Sequence, residues 1–416
     1  MNPVPPAQDS GNGEQQEPLI GLPSLMTMAI SGVDLTPLGS QLMARAESHP
    51  NDGNAYMDIS TILQLKGNHD IAMAMQIEAL KIQQLYRQPA ADGQCKIRLL
   101  AIVAPGDLMS NTPVQFLVEK SDISLDMLYV ASDLPLPDAV PEHDLVFIAA
   151  GEPDENRPLL NQLAQLFKSW PRPVLNAPDR IASLSRDSAY ALLKSAAGVV
   201  MPVTVRIDKW ILEKVGRNER PISSVIPETG FPIIVRPVGS HAGRGLMKLD
   251  NPGAILDYLQ TMSENEFYIA PFVDYRGEDG LYRKCRIVLI EGRPFVCHMA
   301  ISQDWMIHYL NAGMADSAEK RDEEARFMAN FDEDFALRHA EAFHAINERI
   351  GLDYLGIDCA ETADGQLLIF EVDSNMIVHA MDPVDVFPYK QTQMRKVFAA
   401  FREMLINAMQ RTPRPD

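Results

Sequence analysis

The hydrophobic pattern of this chain changes near Gly93, and this change constrains the fold more than any other feature of the sequence. Before Gly93, apolar residues recur every three or four positions, which is typical of amphipathic helices. After it, short apolar runs such as KIRLLAIVA, LDMLYVA and DLVFIAA alternate with helical stretches. This alternation predicts an open parallel sheet over residues 95–180.

The chain has 416 residues, too many for one compact core of ordinary size, so we expect several domains. The later half continues with short apolar strands, which predicts a second region of α+β type. The expected fold class is therefore α+β or α/β. The predicted division is a disordered tail over 1–20, a helical segment over 21–92, an α/β domain over 93–205, an α+β region over 206–410 and a tail over 411–416.

Composition narrows the expected partners and location. A net charge of −19 opposes binding to nucleic acid, whose phosphates require lysine and arginine. No apolar run reaches the roughly 18–20 residues of a membrane span, and the first residues lack a signal-peptide pattern. The four cysteines form no CxxC pair, and we expect them to be reduced core thiols. We therefore expect a cytoplasmic protein without a membrane or nucleic-acid partner.

The helical segment resembles one tetratricopeptide repeat. The matching residues are Tyr56, Ile59 and Leu63 on a first helix, Gly67 and Asn68 in a turn, Ala72, Ala79 and Leu80 on a second helix, and Pro89 at the end. One repeat cannot bury both of its faces, so it must pack on other structure. A module that binds a protein partner and a simple helical cap both fit this pattern.

A glycine-rich segment, FPIIVRPVGSHAGRGLMKL, predicts a strand that delivers Arg236, a loop from Gly239 to Gly245, and a second strand. Glycines let backbone N–H groups approach phosphate oxygens closely, and Arg236 and Arg244 add positive charge. The segment therefore predicts a phosphate-binding loop. An ordinary hairpin turn is the alternative.

Two strands near the C-terminus carry carboxylates: YLGIDCAET presents Asp358, and LLIFEVDSN presents Glu371 and Asp373. The spacing of two puts Glu371 and Asp373 on one face of a strand. Grouped carboxylates in apolar strands suit Mg²⁺ that bridges phosphates, with a structural ion-pair cluster as the alternative. Lys284 and Arg286 share one face of another strand and could stabilise a phosphoryl group in transfer, unless they are solvated strand-edge charges.

Taken in order, these motifs resemble the ATP-grasp superfamily, closest to the ribosomal-modification and glutathione-synthase type of carboxylate–amine ligase. The resemblance covers roughly residues 95–410. The matching segments are NAPDRIASLSRD, FPIIVRPVGSHAGRG, FYIAPFVDY, RIVLIEGRP, GLDYLGIDCAET and FEVDSN. The resemblance implies an ATP-grasp fold with a preceding parallel-sheet domain.

The same resemblance implies roles for individual residues. Those implied to bind ATP are Arg186, Arg236, Ser240, His241, Gly243, Arg244, Gly245, Phe272, Val273 and Asp274. Those implied to hold Mg²⁺, or Mn²⁺ in its place, are Asp358, Glu371 and Asp373. Those implied to act in catalysis are Arg286, Lys284 and Asn375.

The sequence departs from the family pattern at three places. Arg236 stands where lysine is frequent, which preserves charge but replaces a point charge with a planar fork. Ala270 and Pro271 replace frequent acidic residues in the hinge, and Pro271 has no backbone N–H. Asp373 stands where asparagine is more frequent, which adds negative charge at the metal.

The implied activity is formation of an amide from a carboxylate and an amine, through an acyl phosphate and with release of ADP. Substrate residues are expected in the segment CHMAISQDWMIHYLNAGM, namely His298, Asp304, Trp305 and His308, unless this is only a surface loop. The resemblance also allows a homodimer. The rival hypothesis is a non-catalytic nucleotide-binding scaffold whose helical segment docks a protein; retention of all three metal carboxylates favours the ligase.

Overall fold

The structure is a computed structural model, and it describes residues 17–137, 139–240, 243–308 and 311–411. The predicted tail at 1–20 lies outside the described residues except for its last four positions, and all but residue 411 of the tail at 411–416 also lies outside them. The chain divides into two compact units, one ending at Gln88 and one beginning at Pro89. Among the described residues, no helix is both long and apolar enough to cross a membrane.

The first unit is helical, as its three-and-four spacing predicts. Asp58, which is fully buried in this unit, accepts hydrogen bonds from the backbone N–H groups of Ile20 and Gly21 at 2.8 and 3.0 Å. These bonds attach the segment before the first helix to the core of the unit. Its elements are α1 (Leu22–Ile30), α2 (Thr36–Ser48), α3 (Gly53–Leu65), α4 (His69–Ile82) and the short strand β1 (Leu85–Gln88).

The second unit begins with the predicted parallel sheet. Within this unit its strands are adjacent in the order β3, β2, β4 and β5, and each pair is parallel. The four residues of β4 are fully buried, as expected for a central strand covered on both faces. The elements are β2 (Ile97–Val103), α5 (Val114–Leu117), β3 (Ile123–Tyr129), β4 (Leu145–Ile148), α6 (Arg157–Leu166), β5 (Val174–Leu175), α7 (Pro178–Ile181) and α8 (Arg186–Leu193).

An antiparallel sheet with the strand order β7, β10, β8 and β9 follows in the chain. One face of this sheet packs on two helices through a core that includes Leu212, Val235, Ile255 and Ile269. The polar residues that alternate with these core residues along the strands point to the opposite face. The elements are β6 (Val199–Val200), β7 (Val205–Asp208), α9 (Lys209–Gly216), β8 (Ile233–Pro237), β9 (Met247–Leu249), α10 (Pro252–Gln260) and β10 (Glu266–Pro271).

A third sheet has the strand order β12, β11, β13, β14 and β6. Its long strands carry the basic and acidic side chains that the sequence singles out. The elements are β11 (Tyr282–Ile290), β12 (Arg293–Ser302), α11 (Ala318–Asn330), α12 (Phe335–Arg338), α13 (Ala340–Ile350), β13 (Tyr354–Glu361), β14 (Leu367–Asp373) and α14 (Lys390–Gln410). The expected mixed α and β fold class is confirmed.

Three of the four cysteines are buried core thiols as expected, but the prediction is wrong for Cys95, whose side chain is exposed. Cys95 lies before β2, in the turn that follows Gly93, and not in the apolar run itself. The burial of the strand therefore starts only at Ile97.

Helix α14 connects the parallel sheet to the third sheet. Its Phe401 is fully buried and its ring centroid lies 5.8 Å from the rings of Phe147 in β4 and Tyr354 in β13. Aromatic rings at such distances contribute both buried area and favourable edge contacts. Phe401 is therefore a central packing residue of the second unit.

We expect Phe401→Ala to lower the free energy of unfolding by about 3–5 kcal/mol, because truncation of a buried aromatic leaves a cavity. Chemical unfolding followed by circular dichroism measures this loss. Met409→Ala in the same helix is the control, since Met409 is 38% exposed and should change stability little. Equal losses for both variants would contradict the packing role of Phe401.

Candidate active site

The uncovered face of the second sheet supplies one wall of a cleft. Residues in a strand alternate between faces, so Val235 and Ile269 enter the core while Arg236 and Tyr268 face the other way. Tyr268 lies directly opposite Arg236 on β8 and Arg206 on β7. The sheet therefore aligns two arginines and a tyrosine across the wall of the cleft.

An apolar cavity of about 180 Å³ occupies one end of this cleft. The rings of Phe272 and Trp305 meet edge to face there, 5.8 Å apart. The amine of Lys248 lies 4.3 Å from the centroid of the Phe272 ring. Other residues along this apolar cavity include Ile234, Ala270, Val273, Tyr275, Ile307 and Phe370. A flat apolar ligand such as a purine base fits this lining.

Positive charge is concentrated where the apolar cavity ends. Arg236 is only 9% exposed, and its guanidinium donates to the hydroxyl oxygen of Ser240 at 3.2 Å and to the carbonyl oxygen of Ser240. No carboxylate forms an ion pair with Arg236 in the described part of the chain. Burial lowers the pKa of Arg236 to about 9, and the charge of Arg186 adds to the shift. An anion bound here would relieve both effects.

Arg186 begins helix α8 and lines the apolar cavity as well as the neighbouring acidic one described below. It forms an ion pair with Glu371 and donates to the carbonyl oxygen of Phe370 at 3.3 Å. This contact fixes α8 against β14. Arg186 from helix α8 and Arg236 from strand β8 therefore approach the same region.

The carboxylates of the third sheet lie on neighbouring strands. Asp358 in β13 is paired with Glu371 in β14, and a bulge follows Asp358. Lys284 and Arg286 in β11 both contact the Asp358 carboxylate, at 2.7 and 2.9 Å. Burial opposes ionisation of Asp358, but the positive charges of Arg286 and Lys284 hold its pKa far below the ordinary value. The expected shared face of Lys284 and Arg286 is thus present.

Glu371 and Asp373 interact electrostatically along β14. Burial opposes ionisation of Glu371, but Arg186 and Arg236 hold its pKa below the ordinary value. Burial raises the pKa of Asp373, and the negative charge of Glu371 raises it further. Asp373 accepts a hydrogen bond from the backbone N–H of Asn375 at 2.9 Å, and no basic side chain of the described residues forms an ion pair with it.

The sequence implies that these three carboxylates bind Mg²⁺ together. Among the described residues, no three His, Cys, Asp or Glu side chains are grouped so that they could hold a metal ion. Both oxygens of Asp358 are engaged by Arg286. Mg²⁺, however, is usually held by one or two carboxylates together with substrate phosphates, and the pair formed by Glu371 and Asp373 fits that requirement.

A second cavity, of about 300 Å³, lies at the other end of the cleft. We call it the acidic cavity. Its acidic lining residues are Glu152, Asp154, Glu155, Glu264, Glu266, Glu371 and Asp373, and its basic ones are Arg186 and Arg206. Burial raises the pKa of Glu152 to about 7. Tyr268, Gly239, Ser240 and Asn375 also line it, so the loop after β8 and the turn after β14 meet here.

Several predicted ATP-binding residues lie apart from both cavities. Asp274 is exposed and is paired with Arg276 at 2.5 Å. Arg244 is exposed, and Gly243 and Gly245 have positive φ values of 75° and 66° in the turn toward β9. These four residues line neither cavity, whereas Ser240 lines the acidic cavity. His241 lies outside the described residues.

The four residues predicted to bind substrate lie in different environments. Trp305 lines the apolar cavity together with the predicted nucleotide-binding residues. His298 in β12 lies opposite Arg286 in β11, and burial lowers its pKa well below the ordinary value. Asp304 and His308 are exposed. The predicted set therefore does not line one common cavity.

Sequence reasoning missed the residues that build the acidic cavity, above all Glu152, Asp154, Arg206 and Glu266. The sequence contained a signal for the first two, because GEPDEN directly follows the buried strand DLVFIAA. Polar residues after the carboxyl end of a parallel strand frequently form a ligand site. Arg206 and Glu266 become neighbours only through the pairing of β7 with β10.

The backbone is similar to those of several solved structures. D-alanine–D-alanine ligase from Bacillus anthracis complexed with ATP matches with a TM-score of 0.46 and 12% identity, covering 76% of this chain and 99% of that chain. VanG D-Ala:D-Ser ligase from Enterococcus faecalis matches with 0.43 and 14%, covering 76% and 100%. The RimK domain protein ATP-grasp from Sphaerobacter thermophilus matches with 0.42 and 16%, covering 74% and 99%.

No protein-family model matches the sequence, and neither does any curated protein. The TM-scores are all below 0.5, so the function rests on the chemistry of the cleft.

We expect Asp358→Asn to lower the free energy of unfolding by about 3 kcal/mol, because Lys284 and Arg286 would lose the buried carboxylate that they share. Chemical unfolding without added metal or nucleotide measures the loss. Asp364→Asn is the matched control, since Asp364 is exposed. Unchanged stability in Asp358→Asn would show that the ion pairs contribute nothing to the fold.

Proposed function

We propose that this chain is an ATP-dependent carboxylate–amine ligase of the ATP-grasp superfamily. The observation that carries the proposal is the buried guanidinium of Arg236, which has no carboxylate partner among the described residues and lies where the apolar cavity gives way to Glu371. A buried cation without a carboxylate partner favours a bound anion. Along one cleft, an apolar cavity is followed by an anion site and then by carboxylates. This spatial order matches the base of a nucleotide, its phosphates and their metal ion.

Each part of the cleft has a role in the proposed nucleotide site. The apolar cavity receives adenine beside the rings of Phe272 and Trp305, with backbone groups near Val273 for its polar edge. Arg236 and Arg186 neutralise the phosphates. Glu371 and Asp373 would hold Mg²⁺, which would supply charge neutralisation at the phosphates.

The proposed reaction proceeds in two steps. A substrate carboxylate oxygen attacks the γ-phosphorus, so an acyl phosphate forms and ADP leaves. An amine then attacks the acyl carbon, the amide bond forms, inorganic phosphate leaves and the amine gives up a proton. The chain contributes positioning and charge: Lys284 and Arg286 face the reacting groups from β11, where Asp358 holds both cations in place.

The rival is a nucleotide-binding scaffold without catalysis, whose helical unit binds a protein partner. Exposed Ile71 and Ile77 on α4 are compatible with that role for the helical unit. The carboxylates Glu371 and Asp373 beside buried arginines favour the ligase, because adenine and phosphate binding alone do not require them. The two functions differ in whether ADP is released.

Catalysis is tested by ADP release in the presence of Mg²⁺ and ATP over a panel of carboxylates and amines. We expect at least one pair to stimulate ADP release, and Glu371→Gln to remove the stimulation, because the variant loses a metal carboxylate. Glu348→Gln is the control, since Glu348 is exposed on α13. Wild type that binds ATP but releases no more ADP than Glu371→Gln with every pair would end the ligase proposal.

Nucleotide binding is tested separately with Arg236→Met, which keeps the volume of the side chain and removes its charge. We expect MgATP to bind at least about tenfold more weakly, which corresponds to roughly 1.4 kcal/mol or more. The change in tryptophan fluorescence on titration with MgATP measures the affinity. Loss of this change in Trp305→Phe would show that it arises from Trp305. Arg217→Met on the exposed end of α9 is the control. Equal affinity in both variants would contradict an anion site at Arg236.

A further inference from the structure

The order of the cavities along β10 defines what lies beyond the phosphates. Ala270 lines the apolar cavity, Tyr268 lines both cavities, and Glu266 lines the acidic cavity. These residues alternate along one face of the strand, so Ala270 and Glu266 lie about 13 Å apart. The acidic cavity is therefore at the phosphate end of the proposed nucleotide site, where the second substrate must meet the activated carboxylate.

The charge of the acidic cavity is unbalanced. Its described lining contains seven carboxyl groups and two guanidinium groups, an excess of five acidic groups. Both guanidinium groups are already engaged. Arg206 contacts Asp154 at 2.5 Å and Glu266 at 2.6 Å, and Arg186 is paired with Glu371.

Four of the carboxylates that line the acidic cavity have no basic partner among the described residues. Glu152, Glu155 and Glu264 form no ion pair with a basic side chain in the described ranges, and neither does Asp373. Asp373 is only 8% exposed, and its Oδ1 accepts a hydrogen bond from the backbone N–H of Asn375. A buried carboxylate such as Asp373 is costly without a cation, and the half-buried Glu152 and Glu264 and the exposed Glu155 add unpaired acidic groups, so the cavity favours a bound cation.

We propose that the acidic cavity binds the amine substrate of the ligase as a cation with more than one ammonium group, a diamine or polyamine. The inference rests on the proposed function and names the class of its nucleophile. One Mg²⁺ would use Glu371 and Asp373 and would leave Glu152, Glu155 and Glu264 without a cation. A cavity of about 300 Å³ accommodates a short extended amine.

A second ammonium group would also keep the amine bound during amide formation. An amine attacks the acyl phosphate only as the neutral base, so the reacting nitrogen must first give its proton to a carboxylate of the lining. A substrate with one amine would lose its only positive charge in that step. A diamine stays bound through its second ammonium group while the first forms the amide bond and phosphate leaves.

Calorimetric titration of the full chain tests this assignment with four probes: putrescine, spermidine, n-butylamine and L-glutamate. Each titration is made with millimolar Mg²⁺ and a non-hydrolysable ATP analogue present, and again without them. We expect putrescine and spermidine to bind at least about tenfold more tightly than n-butylamine, and L-glutamate not to bind in the cavity. Equal binding of putrescine and n-butylamine would overturn the proposal. Loss of putrescine binding on addition of Mg²⁺ would assign the cavity to the metal and overturn it as well.

The triple variant E152Q/E155Q/E264Q removes three of the unpaired carboxylates without a change of shape. We expect it to bind putrescine about tenfold more weakly and the ATP analogue as wild type does. The variant E333Q/E341Q/E348Q has the same charge change at exposed positions and should bind putrescine normally. If the triple variant does not fold, Glu155→Gln alone replaces it, because Glu155 is exposed and its change should weaken putrescine measurably.

Failure of this inference is distinguishable from failure of the ligase. ADP release with some acid and amine, but no preference for putrescine, overturns the polyamine assignment alone. Putrescine binding that depends on Glu152, Glu155 and Glu264, without ADP release for any pair, overturns the ligase and retains a polyamine site in the acidic cavity.

Discussion

The buried carboxylate of Asp358 holds together the basic side chains of the third sheet. Asp358 is 2% exposed, and it is contacted by Lys284 and Arg286 from the neighbouring strand. An ionised carboxylate at such a position is tolerated only when it is paired, and two basic side chains on one face of β11 supply that pairing. The same contacts hold Lys284 where it lines the apolar cavity, so one buried carboxylate both stabilises the sheet and positions a cation at the proposed nucleotide site.

Charge is separated along the cleft in a way that follows from the alternation of residues in its strands. The second sheet buries Val235 and Ile269 against helices and presents Arg236 and Tyr268 on the opposite face. The pairing of β7, β10 and β8 then places an apolar region, a basic region and an acidic region in order. These three regions are complementary, in the same order, to a base, a polyphosphate and a cationic nucleophile. One cleft can therefore bind all three.

Much of the fold and part of the site were predictable from sequence, and the reasons are local. The runs KIRLLAIVA and DLVFIAA specify buried strands by their composition, and the spacing of Glu371 and Asp373 fixes their shared face. Helix α14 and the placement of Trp305 in the apolar cavity were not predicted. Trp305 follows a strand in a polar segment, and only the fold brings its ring to Phe272, thirty-three positions earlier in the chain.

The sequence by itself determined which residues can carry charge and on which face of a strand each one lies, because alternation along a strand is a property of the chain. It also established the order of motifs that resembles the ATP-grasp superfamily. Only the tertiary structure decided which charges neutralise one another: Asp358 with Lys284 and Arg286, and Glu371 with Arg186. It alone left the acidic cavity without enough cations, since electrostatic balance depends on distances between residues that are far apart in the chain.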